Sequence, residues 1–128
     1  MFQSLFSNLQ RQASNDPVLT QRHYPRRAND RCVIDICGQT FPVENWSYGG
    51  ILLWGDERMF GMDQEIDFTL KFKLRNNVIS INHRGHVVRK QNGMVALKFE
   101  PLNHTIRRAF HKIVDDAAAR EFANSQAV

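Results

Sequence analysis

The feature that most constrains this chain is an apolar pattern of period two, which runs from about residue 31 to residue 100. It is clearest at Ile66, Phe68, Leu70, Phe72 and Leu74, which alternate with polar residues as on a strand with one buried face. Shorter runs of strand character lie at residues 32–37, 40–43, 51–54, 78–82, 85–90 and 94–99. Six or seven short strands joined by tight turns predict a mainly β fold, a small six-stranded antiparallel β-barrel.

Dipeptides that contain glycine mark the places where the predicted strands turn back. Gly38-Gln39 is predicted as the turn of the first hairpin, and Asn92-Gly93 as the turn of the last, since Asn-Gly is a strong hairpin signal. Gly49-Gly50 precedes the strand at 51–54, and we expect these glycines to adopt the positive φ that a sharp turn requires.

A helix is predicted after Pro101, where the apolar period changes to 3.6. Its apolar stripe consists of Ile106, Phe110, Ile113, Val114 and Ala117. We expect this stripe to pack against the barrel, as the apolar face of a surface helix usually does. Phe122 lies off the stripe, which leaves two interpretations open: an exposed side chain, or one that takes part in self-association.

A short N-terminal helix is also predicted, because Phe2, Leu5, Phe6 and Leu9 recur at helical spacing before Asn15-Asp16-Pro17 ends the pattern. A helix of this length is marginal alone in water, so it has to pack on something. Two interpretations stay open: it packs on its own domain, or it docks on a partner or a second copy. The chain then divides into a leader (1–20), the barrel domain with its helix (21–123) and a tail (124–128).

The length and composition of the chain are those of one ordinary globular domain. It has 128 residues, of which 42% are hydrophobic and 23% charged, which argues against disorder. Its net charge of +4 favours anionic partners without identifying one. There is no run of about 20 apolar residues and no basic start with an apolar segment after it, so neither a membrane span nor a signal peptide is expected. We therefore expect a cytoplasmic protein.

Two cysteines, Cys32 and Cys37, are the only ones in the chain. Their separation of five residues would put them on opposite faces of a strand, which does not suit a disulfide. Two ligands also do not make a zinc site. We expect two reduced, buried thiols.

The first of two polar motifs is an arginine strap, the name we use for residues 22–27. Arg22 and Arg26 match the pattern R-x-x-x-R, and Pro25 keeps the residue before it extended, so both arginines are expected to project from the same side. Guanidinium groups bind phosphates and the O6/N7 edge of guanine. Arg27 adds a further cation beside them.

The second polar motif is the run Asn45-Trp46-Ser47-Tyr48-Gly49-Gly50, which reads N-x-S-x-x-G. Asn45 and Ser47 flank Trp46 on an extended segment, so their polar side chains face the same way. A short polar turn of this kind can hold the other edge of a guanine. The two motifs together predict a site for an anionic guanine nucleotide, and their joint occurrence is more specific than either alone.

In these motifs the chain resembles the PilZ domain family, whose signature is R-x-x-x-R followed by [D/N]-x-S-x-x-G. The resemblance covers roughly residue 21 to the start of the last helix and includes residues 85–89 and 95–99, which look like the closing hairpin of PilZ barrels. It implies a receptor for cyclic di-GMP with no further cofactor. It also implies an effector protein as partner, through which motility, exopolysaccharide output or virulence would respond.

The resemblance assigns a set of ligand-binding residues. They are Gln21, Arg22, Arg26, Arg27, Asn45, Ser47 and Gly50. The strap arginines would grip phosphate and the Hoogsteen edge of guanine, Asn45 and Ser47 would meet guanine and adjacent groups, and Gly50 would set the turn. Asn45 replaces the commoner Asp and offers one uncharged acceptor, which predicts an adjusted affinity. Gln21 is neutral, whereas Arg27 and Arg31 offer charge for a second nucleotide, which favours a stacked pair.

Catalysis is not expected, because the five histidines have no metal-ligand spacing and no nucleophile elbow or phosphate-cradling glycine loop is present. Two other functions stay open. One is a nucleotide-independent PilZ-like adaptor, against which the intact motif residues count. The other is a small RNA-binding barrel, which needs aromatic residues on an exposed sheet face, whereas Phe68 and Phe72 alternate into the predicted core. A nucleic-acid partner is therefore not expected, and the sequence leaves the oligomeric state open.

Overall fold

The computed structural model describes residues 24–126, which form a closed antiparallel barrel followed by a helix. The elements are β1 (Cys32–Ile36), β2 (Gln39–Ser47), β3 (Gly50–Trp54), a 3-10 helix (Glu57–Met59), β4 (Glu65–Lys73), β5 (Val78–Gln91), β6 (Met94–Phe99) and α1 (His104–Gln126). The strands pair in the order β1-β2-β3-β6-β5-β4, and β4 closes the barrel on β1. The predicted six-stranded barrel with a C-terminal helix is confirmed. The predicted N-terminal helix lies outside the described residues.

The barrel core is formed by the inward-facing residues of every strand. In β4 the alternation is complete: Ile66, Phe68, Leu70 and Phe72 are buried, and the residues between them face outward. Burying a side chain of this size contributes roughly 1.5–3 kcal/mol. A slip of one residue would turn the whole apolar set to solvent, so the period-two pattern specifies the register.

The helix α1 packs its apolar stripe against the barrel, as the sequence predicts. Asn103 caps its first turn, accepting from the amide of Ile106 at 2.8 Å. The ring of Phe110 lies 4.8 Å from that of Trp46, between centroids, and is fully buried. Phe122 is 67% exposed, which confirms that it lies off the stripe. Among residues 24–126 no helix is both long and apolar enough to cross a membrane.

The turn of the first hairpin lies one residue earlier than predicted, at Cys37-Gly38. Both residues have positive φ, 51° and 80°, and Gln39 already belongs to β2. Two consecutive positive φ values are those of a tight hairpin turn whose twist matches that of the strands. The prediction that both thiols are buried is therefore wrong for Cys37, which is exposed at the turn, while Cys32 is half-buried.

The prediction of two separate strands at 78–82 and 85–90 is also wrong, because β5 runs without interruption through 14 residues. His83 and Arg84, in the expected gap, pair with Phe68 and Asp67 of β4. The Arg84 guanidinium also donates to the Asp67 carboxylate, with 2.6 Å between Nε and Oδ1. Arg84 faces outward, whereas His83 lies on the inner side of the strand, half-buried against the rings of Phe68 and Phe99.

The two thiols should differ in reactivity. Burial removes the hydration of a Cys32 thiolate and Asp30 repels it, which raises the Cys32 pKa to about 12. At pH 8 Cys32 is therefore protonated, and thiolate is the form that reacts. We predict that iodoacetamide labels Cys37 in the folded protein and leaves Cys32 unmodified.

Peptide mapping by mass spectrometry measures this labelling. A Cys37→Ser variant is the control and should show no fast-reacting thiol until urea unfolds it. Labelling of Cys32 in the folded protein at the rate of Cys37 would contradict the prediction.

Candidate functional site

A β-bulge in β2 decides which side chains reach the surface at the N-x-S-x-x-G motif. Phe41 faces the core, and simple alternation from there would turn Asn45 and Ser47 inward as well. Glu44 is an extra residue opposite β3, and the pairing register shifts around it. The shift puts Trp46 inside, at 1% exposure, and turns Asn45 and Ser47 outward. Asn45 and Ser47 share a face because they are two residues apart, and the bulge is what turns that face outward.

A surface cavity of about 860 Å³ lies over the outer faces of β2, β3, β6 and β5. Four of the predicted site residues line it: Arg26, Asn45, Ser47 and Gly50. Gln21 and Arg22 lie outside the described residues. Residues outside the predicted set also line the cavity, among them Tyr24, Tyr48, Leu52, Val88, Arg89, Ala96, Lys98, Glu100 and Arg107.

Arg26 and Asn45 meet at the rim of this cavity. The Nη1 atom of Arg26 lies 3.4 Å from the Oδ1 atom of Asn45, in an exposed position. The contact is long for a hydrogen bond and contributes little to stability by itself. Its importance is geometric, because it brings the second arginine of the strap to the first polar residue of the other motif.

Ser47 and Gly50 shape the turn that follows. The Ser47 hydroxyl accepts from the Gly49 amide at 3.1 Å, a local bond that leaves its own hydrogen to donate. The prediction of positive φ at Gly49 and Gly50 is wrong, since neither lies in the left-handed region. Gly50 is instead needed for close approach: a Cβ atom there would overlap the carbonyl oxygen of Leu97 on β6.

Arg27 does not line the cavity. Its guanidinium is paired with Asp30, with Nε 2.7 Å from Oδ2 and Nη2 3.1 Å from Oδ1. This hydrogen bonding raises the pKa of Arg27 above its usual value. The same carboxylate accepts from the Trp46 indole at 2.9 Å. The main chains of Arg27 and Trp46 also exchange two hydrogen bonds, so Arg27 fixes the strap to the barrel.

Stacked aromatic rings connect the strap to the barrel core. Tyr24 stacks on Tyr48 with centroids 5.7 Å apart, and Tyr48 stacks on Trp46 at 6.0 Å. The partial burial of Tyr48 raises its pKa. This stacking packs the strap against the barrel through the Tyr24 side chain.

The charge of the cavity suits an anion. Among the described residues that line it, Arg26, Arg89, Lys98 and Arg107 are cationic and Glu100 is the one carboxylate. Its floor includes apolar side chains, among them Leu52, Val88 and Ala96. Cations around an apolar floor fit a ligand that combines phosphates with flat bases.

Sequence reasoning missed most of these cations. Lys98 pairs with Gly50 and faces outward because Leu97 and Phe99 face the core, so the alternation of residues 94–99 carried that signal. Arg107 reaches the cavity only because α1 packs beside it, and no local pattern reveals that.

Comparison with known proteins agrees at the level of fold. No family model matches the chain, and no curated protein matches it. The chain is similar to the Bacillus subtilis inhibitor of motility MotI/DgrA, with 15% identity and a TM-score of 0.63 over 79% of this chain and 53% of that one. It therefore spans about half the length of that protein. The uncharacterized Legionella protein Lpg0364 gives 12% identity and a TM-score of 0.53, over 77% and 98% of the two chains.

A PilZ domain of CeSA from a cellulose-synthesizing bacterium is 14% identical, with a TM-score of 0.49 over 75% of this chain and 98% of that one. The closed six-stranded barrel of this chain is similar in fold to the MotI/DgrA and Lpg0364 structures. At these identities the likenesses show the fold alone. On the outer face of this barrel, beside the strap, Arg26, Asn45, Ser47 and Gly50 line one cavity.

The role of Gly50 gives a testable difference between neighbouring glycines. Gly50→Ala should lower the free energy of unfolding by roughly 1–3 kcal/mol, because the new methyl group forces β3 away from β6. Gly49→Ala is the matched control, since its Cβ would make only ordinary contacts, with the Tyr24 ring at 3.5 Å and with the Ser47 hydroxyl oxygen at 3.8 Å. Urea denaturation followed by circular dichroism measures both. Equal midpoints for the two variants would contradict the close-approach role of Gly50.

Proposed function

We propose that this protein is a receptor for cyclic di-GMP and not an enzyme. The observation that carries the proposal is the meeting of Arg26 with Asn45 and Ser47 at one cation-rich cavity. Those residues come from both halves of the motif, 19 positions apart between Arg26 and Asn45. The PilZ-like fold of the barrel supports the same ligand class.

The ligand carries two phosphates and two guanines, and the cavity offers groups for each. Arg26 is suited to a bidentate contact with phosphate or with guanine O6 and N7. The Asn45 amide oxygen accepts from guanine N1–H or N2–H, and the Ser47 hydroxyl donates to an adjacent oxygen. Arg22, which precedes the described residues, completes the arginine pair in this proposal.

We further propose that binding orders the arginine side chains of the strap over the cavity, while the main chain at Arg27 is already held by its pairing with Trp46. Neighbouring guanidinium groups repel one another until a dianion neutralises them, so the ligand favours the closed arrangement. The new surface would then be read by an effector protein in the cytoplasm. Motility is the first output to test, since MotI/DgrA is named as an inhibitor of motility.

The burial of two strand aromatic residues argues against the RNA-binding alternative. Phe68 and Phe72 are buried at 4% and 0% exposure, so they offer no stacking platform on the sheet surface. The nucleotide-independent adaptor is the outcome that remains if no nucleotide binds.

Calorimetric titration with cyclic di-GMP, with GTP as control ligand, tests the proposal. We predict saturable binding of cyclic di-GMP, and the same titration measures whether the predicted stacked pair binds. Arg22→Ala and Arg26→Ala should each cost at least about 2 kcal/mol of binding, because each removes a charged bidentate contact.

Arg58→Ala is the matched control for the arginine variants. Arg58 is paired with Asp56, its side chain is 90% exposed, and it does not line the cavity. Its loss should leave the affinity unchanged. If both strap variants bind like the parent, or if the control loses as much affinity as they do, the arginines do not belong to the site.

Substitutions of Asn45 test the guanine contact. Asn45→Ala should weaken binding by roughly 1–3 kcal/mol, since it leaves guanine donors unpaired. Asn45→Asp should hold or raise the affinity, because a carboxylate accepts both donors and also attracts Arg26. The same titration measures both variants. If Asn45→Ala binds as tightly as the parent, Asn45 only forms the turn.

A further inference from the structure

One nearly buried carboxylate joins the two halves of the candidate site. The Asp30 side chain is 6% exposed and accepts three hydrogen bonds, two from Arg27 and one from the Trp46 indole. A buried charge is costly unless it is paired and hydrogen-bonded, and here both conditions are met. Removing the carboxylate would leave the indole N–H and the Arg27 guanidinium without this partner.

The two residues that Asp30 binds are direct neighbours of proposed ligand-binding residues. Arg27 follows Arg26 in the strap, and Trp46 lies between Asn45 and Ser47 in the second motif. The main chains of Arg27 and Trp46 are also paired, at 2.7 Å and 3.0 Å between nitrogen and oxygen. Asp30 therefore links the side chains of Arg27 and Trp46, the two residues whose main chains are also hydrogen-bonded to each other. We call this double link the bridge.

This bridge fixes where Arg26 lies. With Arg27 held from both its backbone and its side chain, the preceding residue has little freedom along the barrel, and it is found against Asn45 at 3.4 Å. Binding groups held in place before the ligand arrives lose less conformational entropy on association. A supporting residue can thus raise affinity without touching the ligand.

We propose that Asp30 is the positioning residue of this site: its carboxylate ties Arg27 to Trp46 and so holds Arg26 beside Asn45, ready for an anionic nucleotide. The inference rests on the proposed function for its ligand. Its structural half, the coupling of strap to barrel, can be measured without any ligand.

The test in the absence of ligand uses the indole resonances of the two tryptophans in a ¹⁵N-labelled sample. In Asp30→Ala the Trp46 Nε1–H signal should shift and its hydrogen exchange should speed up, because it loses its acceptor. The Arg27 amide should also exchange about tenfold faster as the local bridge opens. The Trp54 indole, bonded to Glu44 at 2.9 Å, is the internal control and should not change.

The test with ligand is calorimetry with cyclic di-GMP. Asp30→Ala should weaken binding by about tenfold or more. Asp30→Asn keeps an acceptor for the indole, so it should fold readily. It loses the charge that holds Arg27, so its affinity for cyclic di-GMP should lie between those of the parent and Asp30→Ala. Asp35→Ala is the matched control: Asp35 pairs with Lys71 on the other side of the barrel and does not line the cavity.

A double variant separates positioning from general loss of stability. If Asp30 acts through Arg26, Asp30→Ala should cause little further loss of affinity in an Arg26→Ala background. An equal loss in both backgrounds would overturn the inference, and so would parent-like binding by Asp30→Ala or an unchanged Arg27 amide. If the parent binds no cyclic di-GMP, the proposed function fails, and the exchange measurements alone decide the role of Asp30.

Discussion

The packing of Trp46 is the contact on which the rest of this structure depends. Its ring is buried against Phe72 of β4 and Phe110 of α1, with centroid distances of 5.0 Å and 4.8 Å. Its indole N–H and its backbone hold the strap through Asp30 and Arg27. One aromatic side chain therefore connects the barrel core, the helix and the strap, and the residues on either side of it reach the candidate site.

This arrangement accounts for the form of the second motif. Trp46 has to face inward for the core, and the bulge at Glu44 is what turns it inward while Asn45 and Ser47 face outward. Gly50 then allows β3 to approach β6 closely enough for Lys98 to stand beside the turn. The polar motif and the apolar core are thus set by the same local backbone geometry.

The sequence predicts the barrel well because the apolar alternation is strong wherever one face of a strand is buried. Prediction from the sequence fails where the pairing of distant strands overrides the local pattern. His83 and Arg84 look like a break but are held in β5 by β4. The candidate site was predicted from motif residues alone, so Lys98 was missed although its strand alternates. Arg107 and Asp30 depend on contacts between distant segments, and no local pattern identifies such contacts.

The central claim is that one anionic guanine nucleotide site is built from the strap and the N-x-S-x-x-G turn. A titration of ¹⁵N-labelled protein with cyclic di-GMP, followed by amide chemical shifts, tests it most directly. We predict saturable shifts at residues 45–50 and at Lys98, with the opposite face of the barrel around Thr69 and Asn82 unchanged. The absence of shifts at the turn, or saturable shifts centred on the opposite face, would contradict it.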